Sequence, residues 1–332
     1  MHATYLLALT TLVATAYGAT PDSREPWRDP SPHRLLRIQV TADVQLEVLD
    51  WGGTGPALVF LAGFGNSAHV FDDFAPQFAN RFHVLGISRR GVGGSSRPAE
   101  GYDSTTLAGD IVTVLDSVGI DRAAFVAHSF GGSELNHLAA HHPSRVDRLI
   151  YLDAGFDFPT LYQSPGWTES FPLPQPPTAS YDDNTVSSWL LWAARMSGAG
   201  YPESEIRQQF RFDPSGQFLE PMVSDSLATW SMRGALPARF ERLRAPVLAI
   251  YADPGTAPVA FPYWNTLDPT ARARTEKAFG VQHRIIEGQI DRFARSVERA
   301  RVVRMPGARH YLFLTHAGEV AHEIRAFFEP RN

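Results

Sequence analysis

The chain contains the stretch VAHSFGG at residues 126–132. It nearly matches the pattern Gly-x-Ser-x-Gly, in which a serine lies on a sharp turn between a strand and a helix. Ala127 stands where the pattern has its first glycine. Because serine before a helix is also a common cap, the stretch alone leaves two interpretations of Ser129, a nucleophile and a helix cap. The partners that distinguish them must come from the rest of the chain.

The composition is that of a globular protein with a large core. The 332 residues are 44% hydrophobic and 20% charged, the formal net charge is -5, and there is no cysteine. Without cysteine, a cysteine nucleophile, disulfides and thiolate metal sites are excluded. Nothing in the charge balance indicates the clustered positive charge that binds nucleic acid. We therefore expect no nucleic-acid partner, no metal and no organic cofactor.

The amino-terminal residues have the features of a targeting segment. Residues 5–13 are apolar, and Ala16, Tyr17 and Gly18 form a small-x-small cleavage site. This pattern predicts a signal peptide over residues 1–18 and a secreted or periplasmic protein. A disordered leader is the alternative, since no lysine or arginine precedes the apolar run. The run itself is too short to form a stable membrane anchor. Residues 19–34 are predicted to form a linker or an extended arm.

Strand-like segments recur along the chain and are separated by helical periodicity. Residues 35–52 alternate like two antiparallel strands. Continuous apolar runs, typical of strands buried on both faces, follow them at residues 57–63, 83–88, 123–129, 148–155, 246–253 and 300–307. Ser104 is the expected N-cap of the first helix. Alternating strands and helices predict an α/β protein with a mostly parallel, doubly wound sheet.

One long segment interrupts this alternation. Residues 156–243 contain aromatic, proline-rich and helix-like stretches in place of a strand–helix unit. We expect a mainly helical lid, inserted after the strand that ends at Asp153, over a core of residues 35–155 and 244–332. Most lid aromatics should build the core of the lid itself. Three of its tryptophans are candidates for lining a substrate pocket: Trp167, Trp189 and Trp192.

Three polar residues come directly after predicted strands. Ser129 ends one strand, Asp153 ends the next, and His310 lies between the last strand and the final helix. Ligands of doubly wound sheets bind at the carboxyl ends of the strands, so these side chains are expected to meet. Together they supply a nucleophile, an orienting acid and a general base. The backbone N–H groups of Phe64 and Phe130 are the candidates for an oxyanion hole.

Four motifs, in this order, resemble those of the α/β-hydrolase fold family. LAGFG (61–65) is similar to the family's His-Gly-x oxyanion loop, with Ala62 in place of histidine. SRRGVGGSSRP (88–98) is similar to its Asp-x-Arg-Gly-x-Gly-x-Ser-x-x-Pro stretch, AHSFGG to its nucleophile elbow, and residues 307–324 to its histidine loop. The resemblance covers the chain from about residue 35 to its end, apart from the lid. It favours the nucleophile interpretation of Ser129, because alanine adds only a methyl group at position 127.

The orienting acid stays open between two aspartates. In most of the family the acid follows the strand that corresponds to residues 246–253, which makes Asp253 a candidate. The loop after this strand resembles that of haloalkane dehalogenases, some of which carry the acid one strand earlier, at the position of Asp153. Dehalogenation itself is not implied, since that branch uses an aspartate nucleophile where this chain has Ser129. We expect Asp153 to be the acid and keep Asp253 as the alternative.

These observations predict a serine hydrolase that cleaves a carboxylic ester (EC 3.1.1) through an acyl-enzyme intermediate. Lactone hydrolysis, proline-iminopeptidase-like activity and C–C bond hydrolysis would use the same triad and remain alternatives, since a fold does not fix a substrate. Outside the enzymes, the alternative is a receptor or adhesion module on the same fold, which should lack a triad member. The expected substrate is a small molecule with a hydrophobic acyl or aryl group.

Overall fold

A mostly parallel, eight-stranded sheet forms the centre of the computed structural model, which describes residues 27–174 and 184–329. Its strands are β1 (Arg34–Thr41), β2 (Val44–Gly52), β3 (Ala57–Leu61), β4 (His83–Ser88), β5 (Ala123–His128), β6 (Val146–Leu152), β9 (Val247–Asp253) and β10 (Arg301–Pro306). Their order across the sheet is β1-β2-β4-β3-β5-β6-β9-β10. β2 is antiparallel to β1 and β4, and all other neighbours are parallel. The predicted signal peptide lies outside the described residues.

Helices connect the strands and cover the sheet. Those of the described residues are α1 (Ser104–Ser117), α2 (Gly131–His141), α3 (Phe158–Tyr162), α4 (Val186–Ser197), α5 (Glu203–Gln209), α6 (Asp225–Gly234), α7 (Ala257–Ala260), α8 (Pro269–Ser296), α9 (Leu312–Thr315) and α10 (Ala317–Phe327). Not one of these helices combines the length and the apolar character that a membrane span requires. The predicted α/β fold with its mostly parallel sheet is confirmed.

Two apolar layers lie on the two faces of the sheet. Successive side chains of a strand point to opposite faces, so Val59 and Leu61 of β3 enter one layer and Leu58 and Phe60 enter the other. All four are buried. This double burial explains why the parallel strands are recognisable as continuous apolar runs rather than as alternating ones.

The N-cap of α1 differs from the sequence-based expectation. Asp103, not Ser104, is the cap, and its Oδ1 accepts the N–H groups of Thr105 and Thr106, both at 3.0 Å. The hydroxyl of Ser104 instead accepts the N–H of Leu236, beyond α6, at 3.0 Å. Both residue types cap helices well, so the sequence could not distinguish between adjacent candidates. The prediction of Ser104 was wrong by one residue.

The segment between β6 and β9 contains α3 to α6 and a short hairpin, β7 (Phe210–Phe212) and β8 (Phe218–Pro221). It corresponds to the predicted lid and is called the lid segment below. Helices α4 and α5 pack with this hairpin around Phe210, and Trp189 stacks on the Phe210 ring at 4.3 Å between centroids. Helix α6 packs elsewhere, with Leu227 against Tyr102. The hairpin was not predicted, because strands this short show no clear alternation.

Replacing the cap tests its assignment. We expect Asp103→Ala to lower the free energy of unfolding by about 1 kcal/mol, because two N–H groups of α1 lose their acceptor. Thr105→Ala, at an exposed position of the same turn, is the control and should change it by less than about 0.5 kcal/mol. Urea denaturation followed by far-UV circular dichroism measures both. Equal stability of Asp103→Ala and the wild type would contradict the assignment.

Candidate active site

Ser129 occupies a strained turn between β5 and α2. Its φ of 51° lies in the left-handed region, which costs a residue other than glycine about 1 kcal/mol or more. The N–H of Ser129 donates to the carbonyl of Leu152 on β6 at 3.2 Å, and its own carbonyl accepts the N–H of Gly132 at 3.0 Å. These bonds hold the side chain at the carboxyl edge of the sheet, directly in front of α2.

Two glycines allow α2 to begin this close to the sheet. A Cβ atom on Gly131 would lie 2.7 Å from the carbonyl oxygen of Leu61, and one on Gly132 would lie 2.7 Å from a backbone nitrogen after β6. Ala127 differs from both, since it lies within β5, fully buried beside Leu61 and Tyr151. Its methyl group therefore packs in the core of the sheet, and the turn is retained with alanine where the family pattern has glycine.

His310 lies between Ser129 and Asp153. Its Nε2 is 3.0 Å from the Oγ of Ser129, and its Nδ1 is 2.6 Å from the Oδ2 of Asp153. A carboxylate only accepts, so in the neutral ring Nδ1 carries the proton and Nε2 is left to accept one from serine. The second oxygen of Asp153 accepts the N–H of Ala252 at 3.1 Å, which fixes the carboxylate. The structure thus brings together three residues that the sequence places after different strands.

The two candidate acids occupy different environments. Asp153 follows β6 with a φ of 45°, and its N–H donates to Ile250 at 2.7 Å. Among the described residues, it is the carboxylate that hydrogen-bonds the His310 ring. Asp253 is the last residue of β9, and its backbone carbonyl accepts the N–H of Gly307 at 2.7 Å. The geometry therefore favours Asp153 for orienting the imidazole.

His128 contacts the backbone of the loop that carries His310. Its Nε2 is 3.0 Å from the backbone carbonyl of His310, and the two ring centroids are 4.6 Å apart. Burial lowers the pKa of His128 well below its usual value, and the nearby His310 adds to this effect. The ring is therefore neutral, and Nε2 must carry the hydrogen, because a carbonyl oxygen accepts. His128 thus fixes the backbone at His310.

The two candidate oxyanion donors lie beside Ser129. Phe130 follows it directly, and a Cβ atom on Gly63, the residue before Phe64, would be 3.1 Å from the Ser129 Cβ. Within the described residues, the N–H groups of Phe64 and Phe130 donate no hydrogen bond to the protein. Their rings meet edge to face, with centroids 5.9 Å apart. Both N–H groups are available to a ligand oxygen next to the Ser129 hydroxyl.

Arg89 connects the oxyanion loop to the elbow helix. Its buried guanidinium donates to the carbonyls of Ala62 and Gly63, the latter at 2.6 Å, and to the carboxylate of Glu134 on α2. In a trans peptide the C=O and the next N–H point in opposite directions. Because Arg89 binds the Gly63 carbonyl, the N–H of Phe64 in the same peptide points away from the guanidinium. Arg89 belongs to the motif at residues 88–98, but this role was not predicted from the sequence.

The three candidate tryptophans occupy two places. Trp189 and Trp192 lie on α4 and pack in the cluster of Phe210 within the lid segment. Trp167 is half-buried against the large core cluster that also contains Phe130. Of the three, Trp167 thus shares a cluster with Phe130, the residue after Ser129.

Glu205, on α5, joins the lid segment to the loop after β3. It is fully buried and accepts from the Nδ2 of Asn66 at 2.9 Å and from the N–H of Ser67 at 3.1 Å. Burial raises the pKa of Glu205 to about 7, although the bonds with Ser67 and Asn66 oppose this effect. Asn66 also accepts the hydroxyl of Tyr311, the residue after His310, at 3.1 Å. Glu205 therefore holds the loop after β3, and Asn66 of that loop in turn holds the loop of His310.

The order of these elements has a counterpart among known proteins. The sequence model of the alpha/beta hydrolase fold matches residues 56–205, which include β3, the elbow and α2. The fold of this chain is that of the α/β hydrolases. This fold accounts for the positions of Ser129, after β5, and of His310, after the last strand of the sheet.

Individual members of the α/β-hydrolase fold family resemble parts of the chain. The soluble epoxide hydrolase of Corynebacterium sp. (strain C12) is 32% identical over 122 residues, 37% of this chain and 41% of that protein. The fluoroacetate dehalogenase of Burkholderia sp. is 36% identical over 107 residues, 31% and 35% of the two chains. The chain thus spans well under half the length of these curated relatives.

A solved structure extends the likeness over nearly the whole chain. That of E-2-(acetamidomethylene)succinate hydrolase superposes with a TM-score of 0.65 and 18% identity, covering 90% of this chain and 100% of that one. At this identity, the likeness concerns the fold of the α/β-hydrolases alone.

The rate at which a fluorophosphonate reacts with Ser129 tests the choice of acid. We expect Asp153→Asn to slow the reaction by roughly 10³-fold or more, since the amide favours the wrong tautomer of His310. Asp253→Asn is the isosteric control and should slow it by less than about tenfold. Intact-mass spectrometry over time measures the labelled fraction, with Ser129→Ala as the unlabelled reference. The reverse ranking would assign the role to Asp253, and large losses in both variants would contradict a single acid.

Proposed function

We propose that this chain is a serine hydrolase that cleaves small carboxylic esters through an acyl-enzyme intermediate. The observation that carries the proposal is the line of contacts from the Oγ of Ser129 to the imidazole of His310 at 3.0 Å and on to the carboxylate of Asp153 at 2.6 Å. A serine hydroxyl becomes a competent nucleophile when a neutral, oriented imidazole accepts its proton.

The reaction proceeds in two acyl transfers. The Oγ of Ser129 attacks the ester carbonyl carbon while the Nε2 of His310 takes its proton. The N–H groups of Phe64 and Phe130 receive the resulting oxyanion, and Asp153 stabilises the imidazolium. The imidazolium then gives its proton to the leaving alcohol, which leaves an ester of Ser129. A water molecule, deprotonated by His310, attacks that ester and releases the carboxylic acid.

The identity of the nucleophile separates ester cleavage from the activities named for the relatives. Attack of Ser129 on the carbon of an epoxide or a C–halogen bond would alkylate the serine and form an ether. An ether has no carbonyl that water could attack, so the enzyme would be trapped. An acyl-serine has such a carbonyl beside the oxyanion donors, and it turns over. We therefore favour acyl transfer over opening of an epoxide or displacement of a halide.

The apolar surroundings of the nucleophile support a hydrophobic acyl or aryl group. Phe130 contacts Phe64 and, at 5.2 Å between centroids, Phe158 on the first helix of the lid segment. Phe64 also packs against the cluster of Tyr102 and Leu227. Beside that cluster lies a cleft of about 250 Å³, lined by Gly91, Arg97, Pro98, Ala99, Tyr102, Ser224, Leu227 and Trp230. Its size and lining suit the acyl chain of a small ester.

Removal of either reacting side chain should abolish the activity. We expect Ser129→Ala and His310→Ala each to lower kcat for p-nitrophenyl butyrate by at least about 10⁴-fold, because the acyl-enzyme cannot form without them. His316→Ala is the matched control, since the His316 ring hydrogen-bonds Thr315. Its kcat should stay within about tenfold of the wild type, and activity retained by Ser129→Ala would refute the mechanism. Far-UV circular dichroism verifies the fold of each variant.

Blocking the cleft should change the preference for acyl length. Ala99 is an exposed residue of its lining, so Ala99→Trp is expected to narrow the cleft without disturbing the core. For p-nitrophenyl octanoate, KM should rise by about tenfold as methylene contacts are lost, whereas the acetate should change by less than about twofold. Ala42→Trp, in the exposed turn between β1 and β2, is the control. If both esters respond equally, the acyl chain does not occupy this cleft.

A further inference from the structure

Four side chains with metal-ligating atoms meet outside the site of Ser129. Asp29 and His33 come from the arm before β1, His69 lies in the 3₁₀ turn after β3 (Ala68–Phe71), and Asp72 is the C-cap of that turn. One ligand atom from each lies within 4.8 Å of all the others. The Nδ1 of His69 is 2.9 Å from the Oδ2 of Asp72 and 3.4 Å from the Oδ2 of Asp29, and the Nδ1 of His33 is 3.0 Å from the other oxygen of Asp72, Oδ1. His69 and Asp72 are buried.

We propose that Asp29, His33, His69 and Asp72 bind one divalent transition-metal ion, and that Zn²⁺ fits them best. Imidazole nitrogen and carboxylate oxygen are zinc ligands, and bonds of 2.0 to 2.2 Å in a tetrahedron place the ligand atoms about 3.3 to 3.6 Å apart. The nitrogen–oxygen distances given above, 2.9 to 3.4 Å, lie close to these values. The widest separation in the cluster is at most 4.8 Å, and a shift of the side chains by about 1 Å would bring it into the tetrahedral range. Two carboxylates also balance the charge of the ion.

The surroundings of the cluster match the outer shell of a metal site. The Nε2 of His69 is 3.5 Å from the Oε1 of Glu47, as expected if Nδ1 binds the ion and Nε2–H faces a carboxylate. In the described part of the chain, this Nε2 and the Oε2 of Glu47 are buried atoms with no hydrogen bond. Asp72 is oriented by the Nε1 of Trp51 at 3.0 Å and the hydroxyl of Ser204 at 2.6 Å. The Oε2 of Glu47 has an ionic partner in Arg37 at 3.4 Å, so the Nε2 of His69 is the atom to which an ion bound at Nδ1 would give a role.

The competing interpretation is a buried imidazolium without a metal. The carboxylates of Asp29, Asp72 and Glu47 all lie within 3.5 Å of the ring nitrogens of His69. Glu47 is paired with the guanidinium of Arg37 at 3.4 Å, but Asp29 and Asp72 together still exceed the charge of a single imidazolium. A dication that displaces the proton reduces this excess further. The same charges that hold the proton therefore favour a metal ion when one is present.

The position of the cluster suggests what the ion would do. It would link the amino-terminal arm, through Asp29 and His33, to the loop that carries Phe64. Ser204 connects the same cluster to α5 of the lid segment. Metal binding should therefore stabilise the folded chain rather than take part in ester cleavage, and it can be measured without any substrate.

The first experiment asks whether the wild type binds the ion. The full chain is stripped with a chelator and titrated with Zn²⁺ against a chromophoric competitor, and the metal content is measured by plasma mass spectrometry. We expect one equivalent to bind and the melting temperature to rise by about 5 °C in a hundredfold excess over Kd. Absence of stoichiometric binding would overturn the proposal and leave the imidazolium interpretation.

Variants of the arm then locate the ion. Asp29→Asn and His33→Gln should each weaken Zn²⁺ binding by more than about 100-fold, and Glu47→Gln by about 10- to 100-fold, as for an outer-shell partner. Asp43→Asn and His322→Gln, both at exposed positions, are the matched controls and should bind like the wild type. His69 is left intact, because its loss could unfold the chain. Undiminished binding by both arm variants would show that Zn²⁺ is held elsewhere, which also overturns the proposal.

Discussion

The parallel pairing of β5, β6, β9 and β10 is the constraint on which the site depends. Parallel strands in register end at the same edge, and here Ala127 pairs with Tyr151, and Met305 with Ala252. Ser129, Asp153 and His310 leave the sheet just beyond these pairs. Their side chains meet because the backbone bonds of the sheet bring three distant segments to one edge. The hydrogen bonds of the His310 imidazole then fix the orientations of the three side chains.

The loop after β3 is held from several sides at once. Arg89 binds its first carbonyls, Glu205 binds Asn66 and Ser67, and the proposed metal cluster takes His69 and Asp72 from the turn that follows. An oxyanion donor must be in place before charge develops, and a free loop would lose entropy on ordering. The contacts of the loop with α2, the lid segment and the arm reduce that cost.

The sequence predicted the elements whose signal is local. Strands buried on both faces appear as apolar runs, so β4 was predicted with the bounds it has and the others within a few residues. The 28-residue helix α8 was missed over most of its length, because it is mainly exposed and polar and only residues such as Ile290 and Phe293 are fully buried. The β7–β8 hairpin was missed because its strands are too short to show a pattern.

The sequence by itself determined which residues could do the chemistry, since Ser129, His310 and two aspartates stand at strand ends that the fold makes neighbours. Only the tertiary structure decided between those aspartates. Both leave the same edge, but the distance from Asp153 to His310 depends on a left-handed backbone turn and on the bond from Ala252. The same holds for Arg89 and for the cluster from Asp29 to Asp72. Their partners are far apart in the chain, and no local pattern encodes contacts of that kind.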